Sequence, residues 1–129
     1  MTAELNHTIV WSSDKARSAA FLTEMLGLPD PKPFFRFMVV ELANGVSMDF
    51  ADKVGPIAGQ HYAFLVDDAR FDAAMALVQE RGMPFWADPA REQPGKINRN
   101  DGGRGFYFQD PDGHYLELLT TPYGTEKTS

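Results

Sequence analysis

The chain has 129 residues, 43% of them hydrophobic and 23% charged, and it contains no cysteine. That composition fits an ordinary globular domain of about 100–200 residues and excludes collagen-like repeats, low-complexity disorder, disulfide frameworks and thiolate metal sites. Eighteen acids against twelve bases give a net charge of −6, which argues against a general nucleic-acid surface, because phosphate binding needs clustered Lys and Arg.

In chain order, the first predicted element is His7-Thr-Ile-Val-Trp11, a short β-branched and aromatic run that reads as a strand. Period-two alternation puts His7, Ile9 and Trp11 on one face. A helix follows, with Ser13 or Asp14 as its N-cap, Gly27 in the left-handed position at its end and Pro29 barring continuation. Phe34 to Leu42 reads as one strand, Ala43-Asn44-Gly45 as a turn and Val46 to Phe50 as the return strand. Residues 51–60, with Gly55, Pro56 and Gly59, read as a linker.

The next strand is predicted over His61–Val66, with His61, Ala63 and Leu65 on one face. Its helix is capped by Asp67 or Asp68, carries Phe71, Ala74, Met75 and Val78 as a buried stripe, and ends at Gly82 and Pro84. A short strand near Pro84–Ala87, a long polar loop to about Gly103, and strands over Arg104–Gln109 and His114–Thr120 complete the chain. Asp110-Pro-Asp-Gly113 joins the last two as a turn.

These elements repeat. His7 and His61 lie 54 residues apart, as do Asp14 and Asp68, and Ala19-Ala20 and Ala73-Ala74, while Gly27-Leu28-Pro29 and Gly82-Met83-Pro84 follow at a spacing of 55. Ordered matches near one offset indicate two copies of one supersecondary unit. Each copy has the order βαβββ, and one such sheet leaves a face bare. Two copies, within a chain or between chains, would curl around a shared open cup. The expected fold is therefore α+β, one domain over 1–129: module one about 4–50, linker 51–60, module two about 61–121 and a frayed tail over 122–129.

The chemistry is concentrated on three residues. His7 and His61 open repeat-equivalent strands. Glu117 lies inside the apolar run Tyr115-Leu-Glu-Leu-Leu119, where a carboxylate costs several kcal/mol to bury unless paired or bound to a metal. Two imidazoles and one carboxylate with open positions suit Fe, Mn, Zn, Ni or Co as the divalent ion. Asp49 holds the place in module one that Glu117 holds in module two, and is a candidate fourth ligand or general base. Tyr115 shares the Glu117 face, and Trp11 the His7 face. Arg91, Lys96, Arg99 and Arg104, in or next to the polar loop, form a basic cluster that would attract an anionic substrate group.

The chain resembles the vicinal oxygen chelate superfamily, which includes glyoxalase I, extradiol dioxygenases, fosfomycin resistance enzymes and bleomycin-binding proteins. The resemblance rests on Asn6-His7 followed by Asp14 and Leu26-Gly27-Leu28, on His61-Tyr-Ala-Phe64, and on Phe106-Tyr-Phe-Gln-Asp-Pro-Asp-Gly-His-Tyr-Leu-Glu117. It implies His7, His61 and Glu117 as metal ligands, and a homodimer in which His7 of one subunit meets His61 and Glu117 of the other.

Within the superfamily the resemblance divides. Asp49 stands where glyoxalase I has a Glu. Lys96-x-Asn98-Arg99 with Tyr107 is similar to the fosfomycin thiol transferases, although Ile9 replaces their usual Thr. Tyr107, ten residues before Glu117, is similar to the extradiol enzymes, but the only spare histidine, His114, should point to the opposite face. Glyoxalase-like lyase or isomerase chemistry, with the metal as Lewis acid, is the leading expectation. Extradiol-type dioxygenation, thiol transfer and non-catalytic sequestration of a small molecule are the alternatives. Glu117, Asp49 and Tyr107 are the expected catalytic residues. Tyr107, Tyr115, Trp11, Lys96 and Arg99 are expected to bind substrate. No apolar run reaches the roughly 18–20 residues that span a bilayer, and the first residues lack a leader pattern, so a cytoplasmic protein is expected, without membrane or nucleic-acid partners.

Overall fold

The computed structural model describes residues 2–124; the end of the expected tail, from 125 on, lies outside the described residues. Contacts divide the chain into two compact units, 1–58 and 59–129.

The first unit is built from β1 (His7–Ser12), α1 (Lys15–Leu26), β2 (Lys32–Phe34), β3 (Phe37–Glu41) and β4 (Ser47–Asp52). Its sheet has the order β1-β4-β3-β2, with β1 and β4 parallel and the other pairs antiparallel. Of the two candidate caps, Asp14 closes the start of α1: its carboxylate accepts the Arg17 N–H at 3.1 Å. At the other end Gly27 is left-handed at φ 63°, and its N–H and that of Leu28 both donate to the Thr23 carbonyl. The helix buries Ala19, Leu22, Met25 and Leu26, and one face of the sheet buries Val10, Val40, Met48 and Phe50. Two serines share this core without a polar penalty, because Ser12 Oγ and Ser18 Oγ hydrogen-bond at 2.7 Å.

The strand expected over Phe34–Leu42 is broken. Phe34 pairs with Phe37 in a tight hairpin, and Phe35 between them takes φ 52°. A bulky residue with positive φ is a rare conformation. A tertiary contact accompanies it: Lys15 Nζ, at the start of α1, donates to the Arg36 carbonyl at 2.8 Å. The Asn44-Gly45 turn between β3 and β4 forms where expected, with Gly45 at φ 86°.

The second unit contains β5 (His61–Leu65), α2 (Asp68–Glu80), β6 (Gly105–Gln109) and β7 (Tyr115–Leu119), with sheet order β5-β7-β6. β5 and β7 are parallel, as β1 and β4 are in the first unit. Asp67 caps α2 by accepting the Arg70 N–H at 2.8 Å. At its end Gly82, at φ 62°, donates to Gln79, and Met83 donates to Val78, which is a Schellman closure. Phe71, Ala74 and Val78 of the expected stripe are buried, while Met75 is half-buried. Phe71 meets Phe106 edge-to-face at 5.2 Å, and Phe106 stacks on Phe108 at 5.3 Å.

The strand expected near Pro84–Ala87 shrinks to single bridges, in which Trp86 pairs with Tyr107 and with Pro94. The loop that follows is pinned rather than free. Asn98 bridges to Gly105, its side-chain amide donates to the Ala87 carbonyl at 2.8 Å, and a short 3-10 turn spans Asn100–Gly102. The Asp110–Gly113 turn is fixed by the Asp110 carboxylate, which accepts the N–H groups of Asp112 and His114 at 2.9 Å each.

A candidate metal and substrate face

Strand register places the chemistry. In the second unit, Ala63 pairs with Glu117, His61 with Tyr115, and Tyr107 with Glu117 across the β6–β7 ladder. His61, Tyr115, Glu117 and Tyr107 therefore share one sheet face, opposite the buried Phe64, Leu116, Leu118 and Phe106. In the first unit Ile9 pairs with Asp49 and His7 with Ser47. Asp49 is thus the register equivalent of Glu117, as the sequence repeat predicts, and Ser47 is that of Tyr115.

His61 Nε2 lies 2.9 Å from Glu117 Oε1, with the Glu117 side chain 14% exposed and His61 49% exposed. Tyr107 faces Glu117 directly across the β6–β7 ladder, which brings its phenol within hydrogen-bonding reach of the carboxylate. Burial, then the negative charge of Glu117 and that hydrogen bond, push the Tyr107 hydroxyl up to about 12. It therefore stays protonated and acts as a donor at neutral pH. The His61 and Tyr107 rings are 5.7 Å apart.

This arrangement has a pH consequence. An unfolded tyrosine ionises near 10, while folded Tyr107 holds its proton to about 12. The stability tied to that proton is full below the unfolded value and is lost as pH rises from 10 towards 12. A Tyr107→Phe variant should accordingly lose less stability than the parent between about pH 8 and about pH 11 in urea unfolding. Equal losses in both proteins would contradict the protonated-phenol assignment.

In the first unit, His7 is exposed and its Nδ1 lies 2.7 Å from Asn6 Oδ1. With the amide oxygen as acceptor, Nδ1 carries the proton and Nε2 keeps its lone pair, the tautomer a metal ligand requires. Sequence alone gives Asn6 no role of its own; its one signal is an amide directly before a strand-opening histidine. Asp49 is only 8% exposed, and its carboxylate accepts the Ser47 hydroxyl at 3.0 Å. Trp11 stands exposed on the same face.

The donor chemistry fits a divalent transition metal. Two ligands about 2.1 Å from one ion and at right angles to each other lie about 3.0 Å apart, close to the 2.9 Å between His61 Nε2 and Glu117 Oε1. Among the described residues no three His, Asp or Glu side chains gather as one metal-holding group. His7 belongs to the first unit, and His61 and Glu117 to the second.

The remaining expectations are sorted by contacts. His114 is buried on the opposite face, and its Nδ1 accepts the Gln60 N–H at 3.0 Å. It anchors the residue before His61 and takes no place on the open face, as alternation predicts. Lys96 and Arg99 are exposed, while Asn98 between them is occupied by backbone contacts. Arg104 leaves the expected basic cluster. It pairs with Asp68 and Asp72 of α2 at 2.8 and 2.9 Å and lies over Phe71, so its charge is neutralised locally.

Comparison with known proteins gives a consistent result. The sequence pattern of the Glyoxalase/Bleomycin resistance protein/Dioxygenase superfamily matches residues 4–118. The solved structure of Oxidase ChaP-H1 is 57% identical, with a TM-score of 0.93 over 95% of this chain and 99% of that one. Oxidase ChaP-H2 is 53% identical, with a TM-score of 0.94 over 97% and 98%. The Glutathione transferase FosA of Serratia marcescens is 32% identical over 92% of this chain and 81% of its own length.

Proposed function

Because the chain belongs to the Glyoxalase/Bleomycin resistance protein/Dioxygenase superfamily, we propose that it is a divalent-metal-dependent oxidase. Its substrate is a small molecule with two adjacent oxygens, and molecular oxygen is the oxidant. The observation that carries the reaction class is the likeness to two oxidases that share more than half of this chain's residues. That likeness puts oxidation ahead of the isomerase or lyase chemistry that the sequence brings to mind first.

His61 and Glu117 would hold the metal, with His7 of a second copy as the third ligand. The bound metal would polarise the two substrate oxygens and, as Fe(II) or Mn(II), supply electrons for oxygen chemistry. The chain's own residues do the rest. Tyr107 holds its proton at the phenol oxygen and, with Glu117 engaged elsewhere, would turn that O–H to a developing oxyanion. Asp49 is a largely buried carboxylate and the candidate proton acceptor. Tyr115 and Trp11 offer aromatic surface to the substrate.

The test is oxygen consumption by metal-free protein reconstituted with Fe(II) under anaerobic conditions, then mixed with aerated catechols. Oxygen uptake in proportion to substrate is the expected result. Absence of uptake with both Fe(II) and Mn(II) would overturn the reading. The likeness to the glutathione transferase supports thiol transfer as the second reading, and glutathione consumption with fosfomycin under the same conditions would favour it.

A further inference from the structure

Of the four basic residues in or beside the 86–103 loop, one is held over the open face of the second sheet. The loop is anchored to β6 by reciprocal hydrogen bonds, Trp86 N–H to the Tyr107 carbonyl at 2.9 Å and Tyr107 N–H to the Trp86 carbonyl at 2.8 Å. Its neck is closed by the Ala87 N–H on the Gln93 carbonyl at 3.1 Å and the Gly95 N–H on the Phe85 carbonyl at 2.8 Å. Its tip is closed by the Asp88 carboxylate, which accepts the N–H groups of Glu92 and Gln93 at 2.9 and 2.8 Å. Within this frame Arg91 takes φ 60°, a left-handed conformation uncommon outside glycine.

The Arg91 guanidinium lies 5.5 Å from the centre of the Tyr115 ring, within cation–π range. Tyr115 pairs with His61 across the β5–β7 ladder and precedes Glu117 by two residues on the same face. Arg91 therefore sits one aromatic ring away from the His61–Glu117 donor pair. No carboxylate answers it: among the described residues its recorded side-chain contact is the Tyr115 ring. Arg104, by contrast, is matched by two aspartates.

We propose that Arg91 is a specificity-determining residue that receives a carboxylate of the substrate bound at the His61–Glu117 site, an inference that rests on the reading of that site as catalytic. A guanidinium offers paired N–H donors in one plane, which match a carboxylate in bidentate fashion. A protein with a net charge of −6 repels anions on average, so a cation held beside the site by a fixed loop favours the entry of anions there. The substrate class that follows is a small aromatic carboxylate with adjacent oxygens.

The test uses the full chain loaded with redox-silent Zn(II) and titrated calorimetrically with 3,4-dihydroxybenzoate and, separately, with the uncharged 4-methylcatechol. The parent should bind the acid more tightly than the neutral catechol. Arg91→Gln should weaken the acid by about 10- to 100-fold and leave 4-methylcatechol unchanged. Arg91→Lys should restore part of the loss, because charge returns without the fork. Circular dichroism confirms that each variant is folded. The proposal is overturned if Arg91→Gln keeps the preference for the acid, if the parent shows no such preference, or if neither compound binds. A preference that vanishes in Arg91→Gln, in a protein that consumes no oxygen with Fe(II), sinks the oxidase reading and leaves the Arg91 assignment standing. Oxygen uptake with an unchanged preference removes Arg91 alone.

Discussion

A His61→Ala variant is expected to lose more than about 100-fold in affinity for a divalent transition metal and to remain folded. The magnitude follows from the site's construction. Partners of a metal ligand, one step removed from the ion, typically contribute about 10- to 100-fold to affinity, and His61 is itself a proposed ligand. The fold should survive because the His61 side chain is about half exposed, at 49%, on the open face of the sheet, whereas the core beneath is carried by Phe64, Leu116 and Leu118. Competition against a chromophoric chelator measures the affinity, and circular dichroism the fold. Parent-like metal binding in a folded His61→Ala protein would remove His61 from the ligand set. Glu117→Gln provides the companion measurement, since it keeps the side chain's shape and discards its charge.

Phe106→Ala should destabilise the protein by about 3–5 kcal/mol, the usual range for deleting a fully buried aromatic ring. Phe106 is 0% exposed, and its ring meets those of Phe71, Phe85 and Phe108 at 5.2, 6.0 and 5.3 Å. Three aromatic neighbours in fixed orientations leave little room for collapse into the cavity. Chemical denaturation would read the change as a lower midpoint at unaltered slope. A loss below about 1 kcal/mol would mean that the site repacks, contrary to the close packing of these rings. Because Phe106 adjoins Tyr107 on β6 but faces the other way, the variant also tests whether the two faces are coupled.

Much of the architecture was legible in the sequence because local rules and tertiary packing agree. Asp14 and Asp67 are caps by chemistry and by geometry. Gly27 and Gly82 both adopt the left-handed conformation that their positions after a helix suggest. Alternation groups His7 with Ile9 and Trp11, groups His61 with Ala63 and Leu65, and sets His114 opposite Glu117; the structure exposes both histidine faces and buries His114. The equivalence of Asp49 and Glu117 followed from the repeat and appears again in the strand register.

The departures have tertiary causes. The reversal at Phe35 carries no Gly or Asn to announce it, and its anchoring lysine is 21 residues away. The segment from Trp86 to Gly103 reads as a long polar loop, because it is rich in charged and amide side chains and is punctuated by Pro89, Pro94, Gly95, Gly102 and Gly103. Single bridges to Tyr107 and Gly105 fix it nonetheless, and no local pattern encodes such contacts. Arg104 adjoins the polar loop in sequence, but the aspartates that neutralise it, Asp68 and Asp72, lie 36 and 32 residues away on α2. Arg91 differed from its neighbours only by where its side chain comes to rest.

The parallel pairing of first and last strands has a consequence for how the protein is made. Among the described residues β5 pairs in its sheet with β7 alone, and Glu117, 56 residues after His61, must be synthesised before the two donors can meet. During translation, β5 therefore waits with unsatisfied backbone edges, a state that invites aggregation or chaperone capture. On the proposal that His61 and Glu117 hold a metal, the same delay would keep the unfinished polypeptide from sequestering it through these two donors.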